Sequence, residues 1–411
     1  MIQYERFTLD NGLRVLVHTD KSTPMAVMNI LYDVGARDES PDKTGFAHLF
    51  EHLMFGGSAN IPDYDEPLQL VGGENNAFTS NDITNYYLTL PAENLETGFW
   101  LESDRMLSLA FSKKSLEVQR SVVIEEFKQR YLNQPYGDVW LLLRPLAYKV
   151  HPYNWPTIGK EIKHVEDATM EDVKSFFFTH YRPNNAILVV GGNVELAEVK
   201  ALCNKWFAPI PKGDVPVRNL LQEPVQTEER KLSVDRPVPA SAIYKTWHMP
   251  ARLHPDFYAT DLLSDVLSNG KSSRLYQQLV KEQKLFSDIN AYQSGDIDAG
   301  LFVVSGRLNK DVTMEQAEAA IMVELDKLKA ELVEERELDK LKNKLEANTV
   351  FGEMSVLNKA MNLAYSELLG DANRVNTELD SYRAVTAADI KRIANTLFTK
   401  ENCSTLYYNA I

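Results

Sequence analysis

The chain has 411 residues, 44% of them hydrophobic and 25% charged, which fits a folded protein with room for two domains and excludes a disordered one. Its formal net charge of −14 argues against nucleic acid and against an anionic membrane surface as partners. Cys203 and Cys403, the two cysteines, cannot build a disulfide framework and lack metal-ligand spacing, so a reducing compartment is expected.

In chain order, residues 6–34 read as a hairpin and a third strand. Two β-rich runs flank the turn signal Asp10-Asn11-Gly12, and residues 26–32 follow. The run from Thr44 to Phe55 has no proline and no β-branched residue after Thr44. Gly45 opens it and Gly56-Gly57 closes it, so it reads as a helix. His48 and His52 then lie one turn apart and point the same way. Two imidazoles so placed can hold one Zn²⁺, leaving positions for a third ligand and a water. Glu51, on the same face, can take a proton from that water. The order H-x-x-E-H reverses the commoner H-E-x-x-H and is itself a catalytic motif.

Residues 61–73 form a polar loop and a short helix ended by Gly72-Gly73. Residues 74–79, a turn and a strand over 84–90 come next, stopped by Pro91. Residues 92–110 and 112–132 read as long helices. In the second, Val122, Val123 and Phe127 mark a buried face, with Glu125 and Glu126 beside it. One carboxylate from this second helix would complete a His₂Glu site. Further helices are expected over 138–150 and over 169–179, the latter with Thr169 as cap and Asp172 in its first turn. Residues 186–190 are a buried strand ended by Gly191-Gly192. Residues 209–230 turn proline-rich and charged, which is linker composition. The expected division is a zinc-binding domain over 1–212, a linker over 213–230 and a second domain over 231–411.

The pattern then restarts. A strand is expected over 240–248, a helix over 255–268, mostly helix over 313–347, a helix over 385–398 and a strand over 404–408. Thr386-Ala-Ala-Asp repeats Thr169-Met-Glu-Asp after 217 positions, and Ala251-Arg252 repeats Ala36-Arg37 after 215. That points to an internal duplication in which only the first copy keeps the histidines. The expected fold is α+β: two similar domains, each an antiparallel-rich sheet covered by helices on one face.

With H-x-x-E-H followed by Arg120, Val122-Val-Ile124, Glu125 and Glu126, the chain resembles the pitrilysin/insulinase family of inverted-motif zinc peptidases. The half-length type that includes the mitochondrial processing peptidase subunits fits best. The resemblance implies a zinc endopeptidase in which Glu126, 73 residues beyond His52, is the third zinc ligand. Glu125 becomes its neighbour, and Gln119 stands where similar chains often carry a second glutamate. It further implies that Asn76, Ala77 and Phe78 lie on an edge strand that pairs with the backbone of an extended peptide. His151-Pro-Tyr-Asn-Trp-Pro-Thr-Ile-Gly159 also matches a family segment. His151 there is expected to be structural, because Pro152 bars a helical ligand pair.

Self-sufficient relatives carry an Arg, and a Tyr seven residues later, in the second half. Aligned through Ser273-Arg274-Leu275, those positions are Val280 and Ser287 here, with Lys281 and Phe286 adjacent. The resemblance therefore implies a partner: a homologous subunit that lacks the zinc motif, supplies the Arg–Tyr pair and closes around an acidic chamber. A homodimer is the runner-up. The alternative of another class is a non-catalytic peptide-binding or scaffold subunit, against which the intact H-x-x-E-H speaks. No run reaches membrane-span length. Without a basic and apolar leader the expected location is cytoplasmic, or periplasmic if a leader has been removed.

Overall fold

The β-rich runs pair into two sheets in a computed structural model that describes residues 1–215 and 217–411. Pro216, inside the linker expected over 213–230, lies outside the described residues. The strands are β1 (Glu5–Thr8), β2 (Arg14–Thr19), β3 (Met25–Tyr32), β4 (Glu74–Thr79), β5 (Thr84–Pro91), β6 (Ala186–Gly192), β7 (Arg230–Arg236), β8 (Ala242–His248), β9 (Phe286–Gln293), β10 (Leu301–Leu308) and β11 (Cys403–Ala410).

The first sheet runs β1-β2-β6-β3-β5-β4 and the second β7-β11-β8-β10-β9. In the first, β2 and β6 are parallel and the other pairs antiparallel. In the second, β7 and β11 are parallel and the others antiparallel. With β1 set aside, the two sheets have the same strand order and the same strand directions. The duplication heard in the sequence is therefore a duplication of topology. The repeated Thr-x-x-Asp strings start helix Met170–His180, before β6, and helix Ala387–Leu397, before β11. Both close capping boxes, the threonine hydroxyl accepting the aspartate N–H and the carboxylate accepting in return.

Helices cover both faces of each sheet, not one. In the first sheet β6 is buried at every residue, as a strand covered on both sides must be. On one face Gly98 lets helix Leu95–Leu107 close on Met28 and Leu88. On the other, helix Val356–Leu368 lays Ala360, Leu363 and Ala364 on Leu16, Val27, Leu31, Ile187 and Val189. The second sheet packs Trp247, Phe302 and Val304 against helices Phe257–Ser268, Met314–Ala330 and Ala387–Leu397. Its other face takes Val139 and Leu143 of helix Val139–Ala147 against Ala242, Leu406 and Tyr408.

Each half of the sequence thus gives one helix to the sheet of the other half, and the two helices start 217 positions apart, at Val139 and Val356. The compact units are consequently interleaved. One is Met1–Arg130, Trp155–Leu220 and Val350–Thr377; the other is Tyr131–Asn154, Leu221–Thr349 and Glu378–Ile411. They differ from the contiguous division at 1–212 and 231–411, because apolar sheet faces, not chain order, select the covering helix. Among the described residues of the linker, 213–215 and 217–229 lack regular structure, yet the segment is tied down. Arg218 bonds Asp33 and Asp38 in the first unit. Glu223 accepts the backbone N–H groups of Lys149, Val150 and His151 in the second.

Among the described residues, no helix is long and apolar enough to cross a membrane.

Candidate metal centre

Helix Phe46–Leu53 is amphipathic: Phe46, Ala47, Leu49, Phe50 and Leu53 are buried, while His48, Glu51 and His52 share the remaining face. Helix Lys113–Phe127 packs beside it through Leu116, Val123 and Phe127. Val122 is 44% exposed and does not belong to that buried face. One residue turns a helical side chain by about 100°, and Val123 occupies the inward position.

The two helices bring three donor atoms together. Glu126 Oε2 lies 3.1 Å from His48 Nε2 and 3.4 Å from His52 Nε2. The three candidate ligand atoms all fall within 4.8 Å of one another. A tetrahedral zinc with bonds of about 2.0–2.1 Å needs donors roughly 3.3–3.5 Å apart, so the set fits that ion in donor type and spacing. His48, His52 and Glu126 could hold a metal. Arg130 Nη1 stands 3.0 Å from Glu126 Oε1, leaving Oε2 to face the imidazoles.

The protonation chemistry follows from these neighbours. Burial pulls His48 down, but hydrogen bonds and charge from Glu126 and Glu51 outweigh it and lift the imidazole to about 9. Hydrogen bonds from His48 and His52 hold the Glu126 carboxyl well below the usual carboxylate range. For Glu51, burial pushes upward, and bonds from His48 and Thr79 more than reverse it. Glu51 Oε2 accepts the Thr79 hydroxyl at 2.6 Å and lies 3.4 Å from His48 Nδ1.

Glu125 stays outside the cluster; its carboxylate accepts from Lys128 Nζ at 2.7 Å, facing solvent. Gln119 is half-buried two turns before Glu126 on the same helix. Asn76, Ala77 and Phe78 lie on β4, which among the described residues is the edge of its sheet and pairs with β5 alone. Asn76 and Phe78 are exposed, whereas Ala77 and Thr79 are half-buried, on the strand face whose Thr79 touches Glu51. His151 is buried, with Nδ1 accepting the Tyr153 N–H at 3.1 Å.

In the second unit the seven-residue interval from Val280 to Ser287 does not lie on one helix. The helical turn Tyr276–Glu282 ends before Ser287, which is in β9. Val280 packs against the core, and Ser287 Oγ bonds Asp288 and the Arg307 carbonyl. Phe286 is fully buried in that core and cannot stand in for a substrate-facing tyrosine. Lys281 is exposed, 3.3 Å from Gln277 Oε1. Sequence reasoning missed Thr79 and Arg130. An i, i+4 rule from Glu126 finds Arg130; Thr79 has no local signal.

Residues 14–159 match the description "Insulinase (Peptidase family M16)" and residues 167–345 match "Peptidase M16 inactive domain". The chain is 31% identical to the zinc protease PqqE of Helicobacter pylori, over 98% of this chain and 92% of that one. It is 26% identical to a probable mitochondrial-processing peptidase subunit beta of Arabidopsis thaliana, over 94% of this chain and 75% of that one. The crystal structure of a protease from Helicobacter pylori superposes with a TM-score of 0.94 at 30% identity, covering 100% of both chains.

Proposed function

The chain belongs to peptidase family M16, and from that premise we propose that it is a zinc endopeptidase hydrolysing extended or unfolded peptides in an enclosed chamber, as the zinc-bearing subunit of a two-chain peptidase. The observation that carries this reading is the convergence of His48, His52 and Glu126 with Glu51 alongside, held in place by Thr79. Zinc, when bound by those three, supplies Lewis acidity for a water and for the scissile carbonyl. Glu51 takes the proton from the attacking water and passes it to the leaving amine. β4 offers main-chain groups at Asn76, Ala77 and Phe78 to an extended substrate. Backbone pairing of this kind selects unfolded chain over side-chain sequence.

The partner proposal rests on the second unit. Neither Val280 nor Ser287 can donate the charged and phenolic hydrogen bonds that stabilise an oxyanion. A homologous subunit supplying an Arg–Tyr pair would; a homodimer is the second form. The competing class, a non-catalytic peptide-binding or scaffold subunit, draws on the match of residues 167–345 to an inactive domain. Metal analysis separates the two. About one zinc per chain, lost in His48→Ala, with chelator-sensitive cleavage of an unstructured peptide in the presence of proteins from the same source, fits the enzyme. A folded chain that holds no zinc fits the scaffold.

A further inference from the structure

The helix that carries both histidines starts on a residue that cannot cap it. Gly45 has a φ of +87° and no side chain to offer the first turn. The helix has eight residues, too few to be stable by itself in water, and His48 is its third. Fraying of the first turn would therefore move a metal ligand.

The missing cap comes from outside the helix. Glu39, 6% exposed, accepts the Gly45 N–H at Oε2 (3.0 Å) and the Ala47 N–H at Oε1 (2.8 Å). Oε2 also accepts the Trp155 indole N–H at 2.9 Å. Trp155 Nε1 lies 3.1 Å from the Ala36 carbonyl as well, which fixes the indole beside the turn that carries Glu39. Thr44 N–H donates to His164 Nδ1 at 3.2 Å, and Lys160 N–H to Thr44 Oγ1 at 2.8 Å. A Cβ on Gly45 would stand 2.6 Å from the Ile158 carbonyl oxygen, so this wall lies directly on the helix start. Both Glu39 oxygens face N–H donors. Burial pushes the Glu39 carboxyl up to about 8, and the Ala47, Gly45 and Trp155 donors oppose that rise.

We infer that Glu39, anchored by Trp155, is a positioning residue of the metal centre: it holds the first turn of helix Phe46–Leu53, and through it His48, at the spacing the His48–His52–Glu126 set requires. The inference rests on the zinc reading above. It also gives the family-matching segment 151–159 a task, since Trp155 is the residue of that segment that reaches the cap.

The test measures apparent zinc affinity by competition with a chromophoric chelator, alongside circular dichroism and thermal unfolding. The proteins are the unsubstituted chain, Glu39→Gln, Glu39→Asp, Trp155→Phe and Thr386→Ala. Glu39→Gln, whose amide nitrogen would face N–H donors, is expected to stay folded and bind zinc roughly 10–100-fold more weakly, the range found when partners behind metal ligands are removed. Glu39→Asp should recover part of that loss, and Trp155→Phe should weaken binding by a smaller factor. Thr386→Ala, a cap in the other unit, should lower the Tm and leave zinc affinity unchanged. A folded Glu39→Gln that binds zinc as tightly as the unsubstituted chain overturns the inference while leaving the zinc reading intact. If Glu39→Gln fails to fold, an unchanged affinity in folded Trp155→Phe overturns it equally. An unsubstituted chain without zinc affinity removes the zinc reading and this inference together.

Discussion

Glu51 is held from two sides, by the Thr79 hydroxyl at 2.6 Å and by His48 Nδ1 at 3.4 Å, while taking no place among the three converging ligand atoms. Glu51→Gln is therefore expected to keep its zinc and lose turnover by roughly 10³ or more; near-normal hydrolysis by the metal-loaded, chelator-sensitive variant would remove Glu51 as the base. Glu126 and Glu125 differ in the opposite sense. Glu126→Gln should lose metal, because a neutral amide is a poorer zinc ligand, and Glu125→Gln should keep it, since Glu125 faces Lys128 and solvent. Metal analysis of the two proteins decides, and the reverse outcome would reassign the third ligand. At this scale H-x-x-E-H was legible because its geometry is local to one helix. Thr79 and Glu39 were not. Their partners lie 28 and 6–8 positions away, and nothing in either residue's neighbourhood marks a hydroxyl or a carboxylate as aimed at that helix.

Among the elements, the paired capping boxes are the clearest case of short-range chemistry surviving into the fold. The Thr386 hydroxyl and amide hold the Asp389 carboxyl below its usual range. A carboxylate with a depressed folded pKa stabilises the fold fully above its unfolded value of about 3.9, and that contribution disappears as pH falls through the folded value. Asp389→Asn should thus lower the Tm at pH 7, and the gap from the unsubstituted chain should narrow below about pH 4. A gap that is constant with pH would mean the carboxylate's charge plays no part. Gly45→Ala tests the start of the metal helix: a left-handed φ and a backbone contact at 2.6 Å predict a loss of about 1–3 kcal/mol, read from denaturant unfolding. The strand β6 was legible as an unbroken apolar run, and β3 and β5 as β-rich runs interrupted only by Asn29 and by Asn85 and Thr89. β7 was not: Arg-Lys-Leu-Ser-Val-Asp-Arg carries charge at both ends, and its place comes from parallel pairing with β11. β9 escaped because Asp288 and Asn290 break the apolar pattern of an edge strand.

For the whole molecule, the exchange of helices has a consequence for folding. Residues 1–212 by themselves lack helix Val356–Leu368, leaving Leu16, Val27, Leu31, Ile187 and Val189 bare on one sheet face. That fragment is expected to aggregate or to unfold without cooperativity, and a peptide of residues 350–377 added in trans should restore a cooperative transition. Cooperative unfolding of 1–212 alone at the Tm of the full chain would refute this. Assembly is tested by assaying the zinc-loaded chain alone on an unstructured peptide while its mass in solution is measured. The two-chain reading expects little turnover until the partner is added; full activity as a monomer would sink it, and full activity as a homodimer would leave the second form. The sequence by itself determined the α+β class, the duplication, the helix that carries both histidines and the acidic helix that faces it, because each is written in short periodic patterns and fixed spacings. Only the tertiary structure decided which helix covers which sheet, which of two adjacent glutamates meets the histidines, and that a glutamate outside the metal helix caps it. Those outcomes depend on contacts between segments distant in the chain, where burial of apolar faces and pairing of buried N–H groups choose among partners that local sequence does not distinguish.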